Sequence, residues 1–512
     1  MAEAAPRFCV LGRGVAGLST AYFLQRSFPR ARISVVGHAR DEADRPSSRR
    51  TRRGQVYETG FRASVLNDKN GRELLGLLKL LKLDEEAVSA NIEASARRHL
   101  FHRGRVQLFP RVPHILGFGP ALVAEPVWPR GRAEDESVHA FVARRSSRAV
   151  ADRIADPICW GLLGGGAREL SVRTCFPRLW FNERRFRSVF VGSALSTLLA
   201  CRQRSWLALD FFDPLLQRVS AGGRCFTLRE GLGSLVTRLE EVVQHPPEGT
   251  RPVELRHGSA AISLRALDDG PSLGAEVALS GGQTLRTDAV VAAMLPRDLA
   301  QLLDASGLDT PMPAGAVGGS ACGLLRGVTG RSVAVVNVGF DREVLRGRFR
   351  GAGYFVGSLE KQEILGSCWN SHLFPGHGNV QATHLTVYVR DEFAGSEATA
   401  EEVALRAVRD HLGILDEPEE VHTTCWPQAL PQYAVGHRQA LCGFNAARLR
   451  SLPWLHVTGA GYFGTRGVAD EIVDARELAD SLHRRFARFP GLVENETEED
   501  FTRRFGSGFD AD

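Results

Sequence analysis

Phe8-Cys9-Val10-Leu11 runs into Gly12-Arg13-Gly14-Val15-Ala16-Gly17 and then into Leu18-Ser19-Thr20-Ala21-Tyr22-Phe23-Leu24. A short apolar run, a G-x-G-x-x-G turn and an amphipathic run predict a strand, a tight turn and a helix, which together open a dinucleotide-binding unit. Gly12 permits the turn and Gly14 lets backbone approach a pyrophosphate. Gly17 lets the helix pack closely on the strand, so that the free N–H groups at the helix start face phosphate. The turn suggests a nucleotide-binding fold more firmly than it proves a bound nucleotide.

One element of that pattern is missing. The second strand, Ile33-Ser34-Val35-Val36, should end in a carboxylate that holds the ribose hydroxyls, and Gly37 stands there. Losing one charge-assisted hydrogen bond costs about 1.5–3 kcal/mol, or one to two powers of ten in affinity. A large nucleotide held elsewhere survives that loss.

Arginine and lysine exceed the acids by only a net +5, and no aromatic-interleaved basic stripe, zinc-finger, helix-turn-helix or RNA-binding signature accompanies them, which argues against a nucleic-acid partner. The nine cysteines are scattered and never in C-x-x-C spacing, so neither a disulfide framework nor a metal site is expected. No run of 18 apolar residues exists to span a bilayer. Ser188–Cys201, apolar and bounded by Arg187 and Arg202, reads either as a buried core helix or as an element seated in a membrane interface. The glycine turn starts at residue 12, so a cleavable leader is not expected.

Periodicity divides the chain. A first nucleotide-binding segment covers 1–90, including an arginine-rich loop over Arg45–Gly54 and a helix over Arg72–Leu81. A mostly helical insertion covers 91–215, and the apolar strand ending at Pro296 marks a second nucleotide-binding segment over 216–300. Alternating strands at Ser332–Phe340 and His384–Val389, with a helix Ala400–Leu412, predict an antiparallel substrate sheet over 301–430. A strand, a second glycine turn Gly459-Ala460-Gly461 and a helix Ala469–Arg485 form a third nucleotide-binding segment over 431–488. The acidic tail 489–512 is expected to be disordered. The fold class is therefore α/β (α+β), with a Rossmann-like domain assembled from three segments.

Several ordered blocks carry a resemblance. They are Arg98-His99-Leu100 with Gly104 and Leu108-Phe109-Pro110; Cys159-Trp160-Gly161 with Arg168-Glu169-Leu170-Ser171-Val172-Arg173-Thr174-Cys175-Phe176-Pro177; Ser332–Asn337; Pro431-Gln432-Tyr433 with Gly436-His437; and Gly459-Ala460-Gly461-Tyr462. From Phe8 to about Leu482 the chain resembles the protoporphyrinogen oxidases. The resemblance implies a fold of the p-hydroxybenzoate-hydroxylase type that binds FAD, with a substrate sheet and a helical membrane-binding insertion. It implies oxygen-dependent oxidation of protoporphyrinogen IX to protoporphyrin IX in haem synthesis, with the porphyrinogen and molecular oxygen as partners. It also implies monotopic attachment to a membrane surface and a homodimer. For a eukaryotic source the place implied is the intermembrane-space side of the mitochondrial inner membrane; otherwise it is peripheral or cytoplasmic.

Residue by residue, the resemblance implies that Arg62, in Glu58-Thr59-Gly60-Phe61-Arg62, pairs with a substrate propionate, as a guanidinium fork suits. Gly161, Gly353, Phe355 and Tyr388 line the macrocycle slot, while Gly12, Gly14, Gly17, Gly459, Val468, Ala469 and Asp470 hold the cofactor. The last three begin a helix whose N–H groups and dipole stabilise negative charge on a reduced flavin. No catalytic acid or base and no metal ligand is assigned. Gly37, the arginine loop and Arg466 inside the last turn depart from the pattern. Two other readings therefore stay open: a flavin-deficient paralogue that binds or scaffolds tetrapyrroles, and a flavin amine oxidase with another substrate.

Overall fold

Phe8–Leu11 is buried on both faces, as a central parallel strand requires. In the computed structural model, β1 (Arg7–Leu11) pairs in parallel with β2 (Arg32–Val36) on one side and with β8 (Ala289–Ala292) on the other. Two further parallel strands, β7 (Glu254–Arg256) and β14 (Leu455–Val457), complete a five-stranded sheet in the order β7-β2-β1-β8-β14. Strands from three separated stretches of chain thus build one nucleotide-type sheet. The structure describes residues 5–37, 47–51, 54–60, 63–65, 69–109, 125, 128–195, 213–221, 223, 225–267, 274–311, 319–345, 347–378, 381–464 and 467–488.

Helices cover both faces of the sheet. On one side α1 (Val15–Ser27), α2 (Lys69–Leu80), α5 (Gly233–Gln244) and α8 (Val468–Arg488) bury Leu18, Leu24, Leu74, Leu78, Leu239, Ile472 and Leu482 in a core with Val10 and Val35. On the other side Pro296–Ala305 and α7 (His437–Ser451) close over Leu11, Val290 and Val457. The leucine spacing that predicts a helix at Arg72–Leu81 is realised at Lys69–Leu80.

The second sheet has seven strands: β5 (His99–His102), β6 (Arg105–Leu108), β9 (Gly330–Phe340), β10 (Gly353–Val356), β11 (Ile364–Trp369), β12 (Thr383–Val389) and β13 (Glu420–Pro431), in the order β13-β9-β12-β11-β10-β5-β6. Its pairings are antiparallel except β10 with β5, which is parallel. Ala334, Val336, Leu385, Val387 and Val389 point to one face, where α6 (Glu397–Leu412) seals a core. The period of 2 sends Val333, Val335, Asn337, Thr386, Tyr388 and Phe355 to the opposite face. On that face Val335, Asn337 and Thr386 are buried, with Asn337 Nδ2 donating to Glu58 O at 2.9 Å, while Phe355 and Tyr388 stay part-exposed.

Between the strand pair β5–β6 and the later strands lie the helices of the insertion, including α3 (Val138–Arg145) and α4 (Asp156–Leu163), whose Phe141, Cys159 and Leu163 share a small core with Tyr433. The arginine-rich stretch is more ordered than a loop. Ser48–Arg50 (β3) pairs with Val56–Glu58 (β4), and Arg50 grips Glu230 at 2.9 and 2.7 Å; Arg45, Arg52 and Arg53 lie outside the described residues. Residues 189–195 are helical with Phe190, Val191 and Leu195 exposed, which excludes a buried core helix for the described part of Ser188–Cys201.

Candidate flavin cradle and apolar substrate face

Each glycine of the first turn answers a separate steric demand. Gly12 has φ +120° and donates its N–H to Val36 O at 2.8 Å; a Cβ there would lie 2.3 Å from Ala293 O. A Cβ on Gly17 would lie 2.0 Å from Gly12 O, so only glycine lets α1 sit against the strand. At Gly14 a Cβ would meet nothing within 4 Å. Gly14 is the N-cap of α1 and has no side chain to cap it; the Glu471 carboxyl takes the Ala16 N–H, and the space beside Gly14 is open. That is the cradle a nucleotide phosphate requires. Arg13 turns away to pair with Glu240 at 2.7 Å and ties the turn to α5.

The second glycine turn closes over the first. Gly459, Gly461 and Gly464 have φ of +91°, +96° and +73°, and a Cβ on Gly459 would come within 2.9 Å of Ala16 Cβ. Asp474 on α8 accepts from Thr458 Oγ1 at 2.6 Å and from Gly459 N at 3.0 Å. Tyr433 Oη accepts from Gly461 N at 3.1 Å, and His437 Nε2 donates to Tyr462 O at 2.9 Å. Burial holds the His437 ring down to about 4, which keeps it a neutral donor near neutral pH.

At the start of α8, Val468 is buried, and Asp470 accepts from Asn70 Nδ2 at 2.7 Å. Burial, with Asp470 and Asp474 beside it, pushes the Glu471 carboxyl up to about 7, opposed by the Ala16 N–H. The structure thus brings Gly12, Gly14, Gly17, Gly459, Val468, Ala469 and Asp470 around one place, where two helix starts converge on α1 and the second turn. Backbone donors, open space at Gly14 and a helix start at the second turn fit a flavin nucleotide. Gly37 N instead reaches Arg256 O at 3.4 Å, and the expected acid on β2 is absent.

The face of the second sheet opposite α6 adjoins this cradle through Pro431 and Tyr433. Trp160, Val333 and Leu365 form an apolar cluster against which the part-exposed Tyr388, Trp426 and Leu430 pack. From Leu430 the chain passes to Pro431, whose Cγ lies 3.6 Å from where a Gly461 Cβ would be, and to Tyr433, which holds Gly461 N. Trp426 Nε1 donates to Thr59 O at 2.5 Å.

Of the predicted slot residues, Gly161 and Phe355 meet directly: a Cβ on Gly161 would penetrate the Phe355 ring to 2.0 Å of Cδ1. Tyr388 belongs to the Trp160 cluster. Gly353, at φ +135°, is demanded by strand pairing, since a Cβ would lie 2.0 Å from Ser367 O. Arg62 and Arg466 lie outside the described residues. Sequence reasoning assigned no site role to Trp160, Val333, Leu365, Trp426, Tyr433, His437, Glu471 or Asp474. Trp160, Val333, Tyr433 and His437 lie in blocks that carry the resemblance; Leu365, Trp426, Glu471 and Asp474 do not.

A family model described as flavin containing amine oxidoreductase matches residues 15–465. The chain is 29% identical to the protoporphyrinogen oxidase of Bos taurus, over 92% of this chain and 97% of that one. It is 22% identical to the coproporphyrinogen III oxidase of Bacillus subtilis, over 94% and 99%. A solved structure of a candidate protoporphyrinogen oxidase from Exiguobacterium superposes with TM-score 0.74 at 20% identity, over 94% of this chain and 99% of that one. A match over most of the chain, on top of a nucleotide-type sheet built from three stretches of chain, places the chain in the flavin-containing amine oxidoreductase family.

Proposed function

We propose that this protein is an FAD-dependent porphyrinogen oxidase of haem synthesis, with protoporphyrinogen IX as its substrate and molecular oxygen as the final acceptor. The observation that carries the reading is the flat apolar face of Tyr388, Trp426 and Leu430, which leads through Pro431 into the second glycine turn. A macrocycle laid on that face has its edge at the flavin end of the cradle. Relatives named protoporphyrinogen and coproporphyrinogen oxidase, aligned over nearly the whole chain, support the reading over an amine oxidase or a flavin-free scaffold.

Bound flavin supplies the two-electron acceptor for hydrogen removal. The chain's own part is to hold and shield. The α1 start beside Gly14 would take the phosphates, and the α8 start would stabilise charge gained at the flavin edge. Gly161 lets α4 approach Phe355, and the apolar cluster keeps water from the reacting carbons. Arg62 is assigned to a propionate, and Gly161, Phe355 and Tyr388 to the macrocycle faces. Peripheral membrane seating is supported by the exposed Phe190, Val191 and Leu195. No helix among the described residues is long and apolar enough to cross a bilayer. Dimerisation and, for a eukaryotic source, a mitochondrial inner-membrane location belong to the same reading.

The test begins with the visible spectrum of the purified protein. A flavin spectrum, with porphyrin fluorescence rising over a no-enzyme control on adding protoporphyrinogen IX, is the expected result. A protein that stays colourless after FAD reconstitution refutes the oxidase.

A further inference from the structure

Two guanidinium groups converge on the apolar cluster, and neither has a role in the reading above. The Cζ of Arg390 lies 4.2 Å from the centroid of the Trp160 ring and that of Arg331 lies 4.9 Å from it. Arg390 follows Val389 at the end of β12, so alternation returns it to the face that carries Tyr388. The residue is only 8% exposed. Its Nε donates to Ile364 O at 3.1 Å, and Nη2 makes long contacts of 3.4 and 3.5 Å to Val356 O and Gly357 O. Carbonyls satisfy some of its donors but neutralise none of its charge.

Two acids act on Arg390 at longer range, the exposed Glu392 and the buried Asp156, and Asp156 is already committed. Asp156 accepts from Ser358 N at 2.8 Å, Ser358 Oγ at 2.7 Å and Ala167 N at 3.1 Å. Among the described residues no carboxylate stands within ion-pair distance of Arg390. Arg331 does have a partner, Glu169 at 2.7 Å, but Glu169 is 61% exposed and such rim pairs contribute little. Two like charges therefore share one aromatic ring at the border of a flat apolar surface. An unpaired buried cation is costly unless a ligand completes it, and a guanidinium fork matches a carboxylate.

We propose that Arg390 and Arg331 form a carboxylate-recognising edge of the substrate site, pairing with acid side chains of a flat tetrapyrrole that lies on Tyr388, Trp426 and Leu430. This rests on the porphyrinogen reading, and it deepens that reading by naming what fixes the macrocycle's orientation. Both are positioning residues: they hold the ring and take no part in hydrogen removal.

The experiment measures quenching of protein fluorescence in the holoenzyme by protoporphyrin IX and by its dimethyl ester, in one detergent buffer. The diacid should bind at least about tenfold more tightly than the ester, as one charge-assisted pair provides. Arg331→Gln and Arg390→Lys should each reduce that preference, with the share due to Arg62 remaining, while leaving ester binding unchanged. In turnover they should raise KM for the porphyrinogen with kcat held. Equal binding of diacid and ester by the wild type overturns the inference, as does full retention of the preference in both variants. In both of those cases the porphyrinogen reading stands. If Arg390→Lys does not fold, Arg331→Gln and the wild-type pair of ligands decide. Failure of the wild type to bind either ligand removes the porphyrinogen reading and this edge with it.

Discussion

Glu471 offers a measurement that depends on the cradle alone. Its carboxyl lies at the start of α8 between Asp470 and Asp474 and is pushed up to about 7 by burial first and by those two acids next. Asp470 is held by Asn70 and Asp474 by Thr458 and Gly459, so neither can swing away to relieve the repulsion. A carboxyl whose native value exceeds its unfolded one binds more protons in the native state. Stability therefore falls as pH rises from the ordinary glutamate value to about 7 and levels off above it. If all of that displacement reached stability it would amount to about 3 kcal/mol. Glu471 retains partial solvent contact, which reduces the expectation to about 2 kcal/mol. Glu471→Gln mimics the protonated form at every pH. Denaturant unfolding of wild type and variant at pH 5 and pH 8 should show the variant gaining about 2 kcal/mol relative to wild type at the higher pH. A gain that is the same at both pH values would mean that the native carboxyl titrates normally, and the argument from crowding at the α8 start would be wrong.

The two glycines of the first turn should separate folding from cofactor retention. Gly17→Ala drives a Cβ to 2.0 Å from Gly12 O, so it should lower both the melting temperature and the ratio of flavin absorbance to protein. Gly14→Ala meets nothing in the protein within 4 Å, so its unfolding midpoint should stay near wild type while bound flavin is lost on gel filtration. Asp474→Ala leaves the buried Thr458 hydroxyl and Gly459 N–H unpaired and should cost about 2–4 kcal/mol in denaturant unfolding. Gly161→Ala pushes into the Phe355 ring and should raise KM for the porphyrinogen; adding Phe355→Leu should recover most of the loss in steady-state assays.

The parts legible in the sequence are those that short-range physics fixes. The strand, turn and helix at Phe8–Leu24 are adjacent in the chain, and their glycine spacing encodes their steric demands directly. The helices Lys69–Leu80, Glu397–Leu412 and Val468–Arg488 carry their own apolar periods. By contrast, β5 and β6 form a local hairpin across Arg103-Gly104, but β5 joins the second sheet only through β10, about 250 positions away, so nothing local reveals that the pair belongs to that sheet. β3 hides in an arginine-rich stretch because its stability comes from β4, from Glu58 gripping Ser48 and from Glu230 gripping Arg50. In Val333-Ala334-Val335-Val336 every residue is apolar, and the run does not reveal which side faces α6 and which faces a ligand.

The block Pro431-Gln432-Tyr433 with Gly436-His437 shows why a site can be marked in sequence and still not be understood there. Its strand end receives Ser171 N from the insertion on Tyr433 O at 2.8 Å, while Tyr433 Oη and His437 Nε2 hold Gly461 N and Tyr462 O of the second glycine turn. Asp474 holds the same turn from α8, and Thr174 of the insertion packs on Gly464. Residues from the insertion, the second sheet and the last helix therefore fix one turn between the cradle and the apolar face. A turn pinned from several directions cannot adjust to a misplaced neighbour. Disturbing the insertion near Ser171 should thus be felt at the flavin end of the site, through Tyr433 and Gly461. Coupling of that kind belongs to the assembled fold, and the spacing of five residues along the chain cannot carry it.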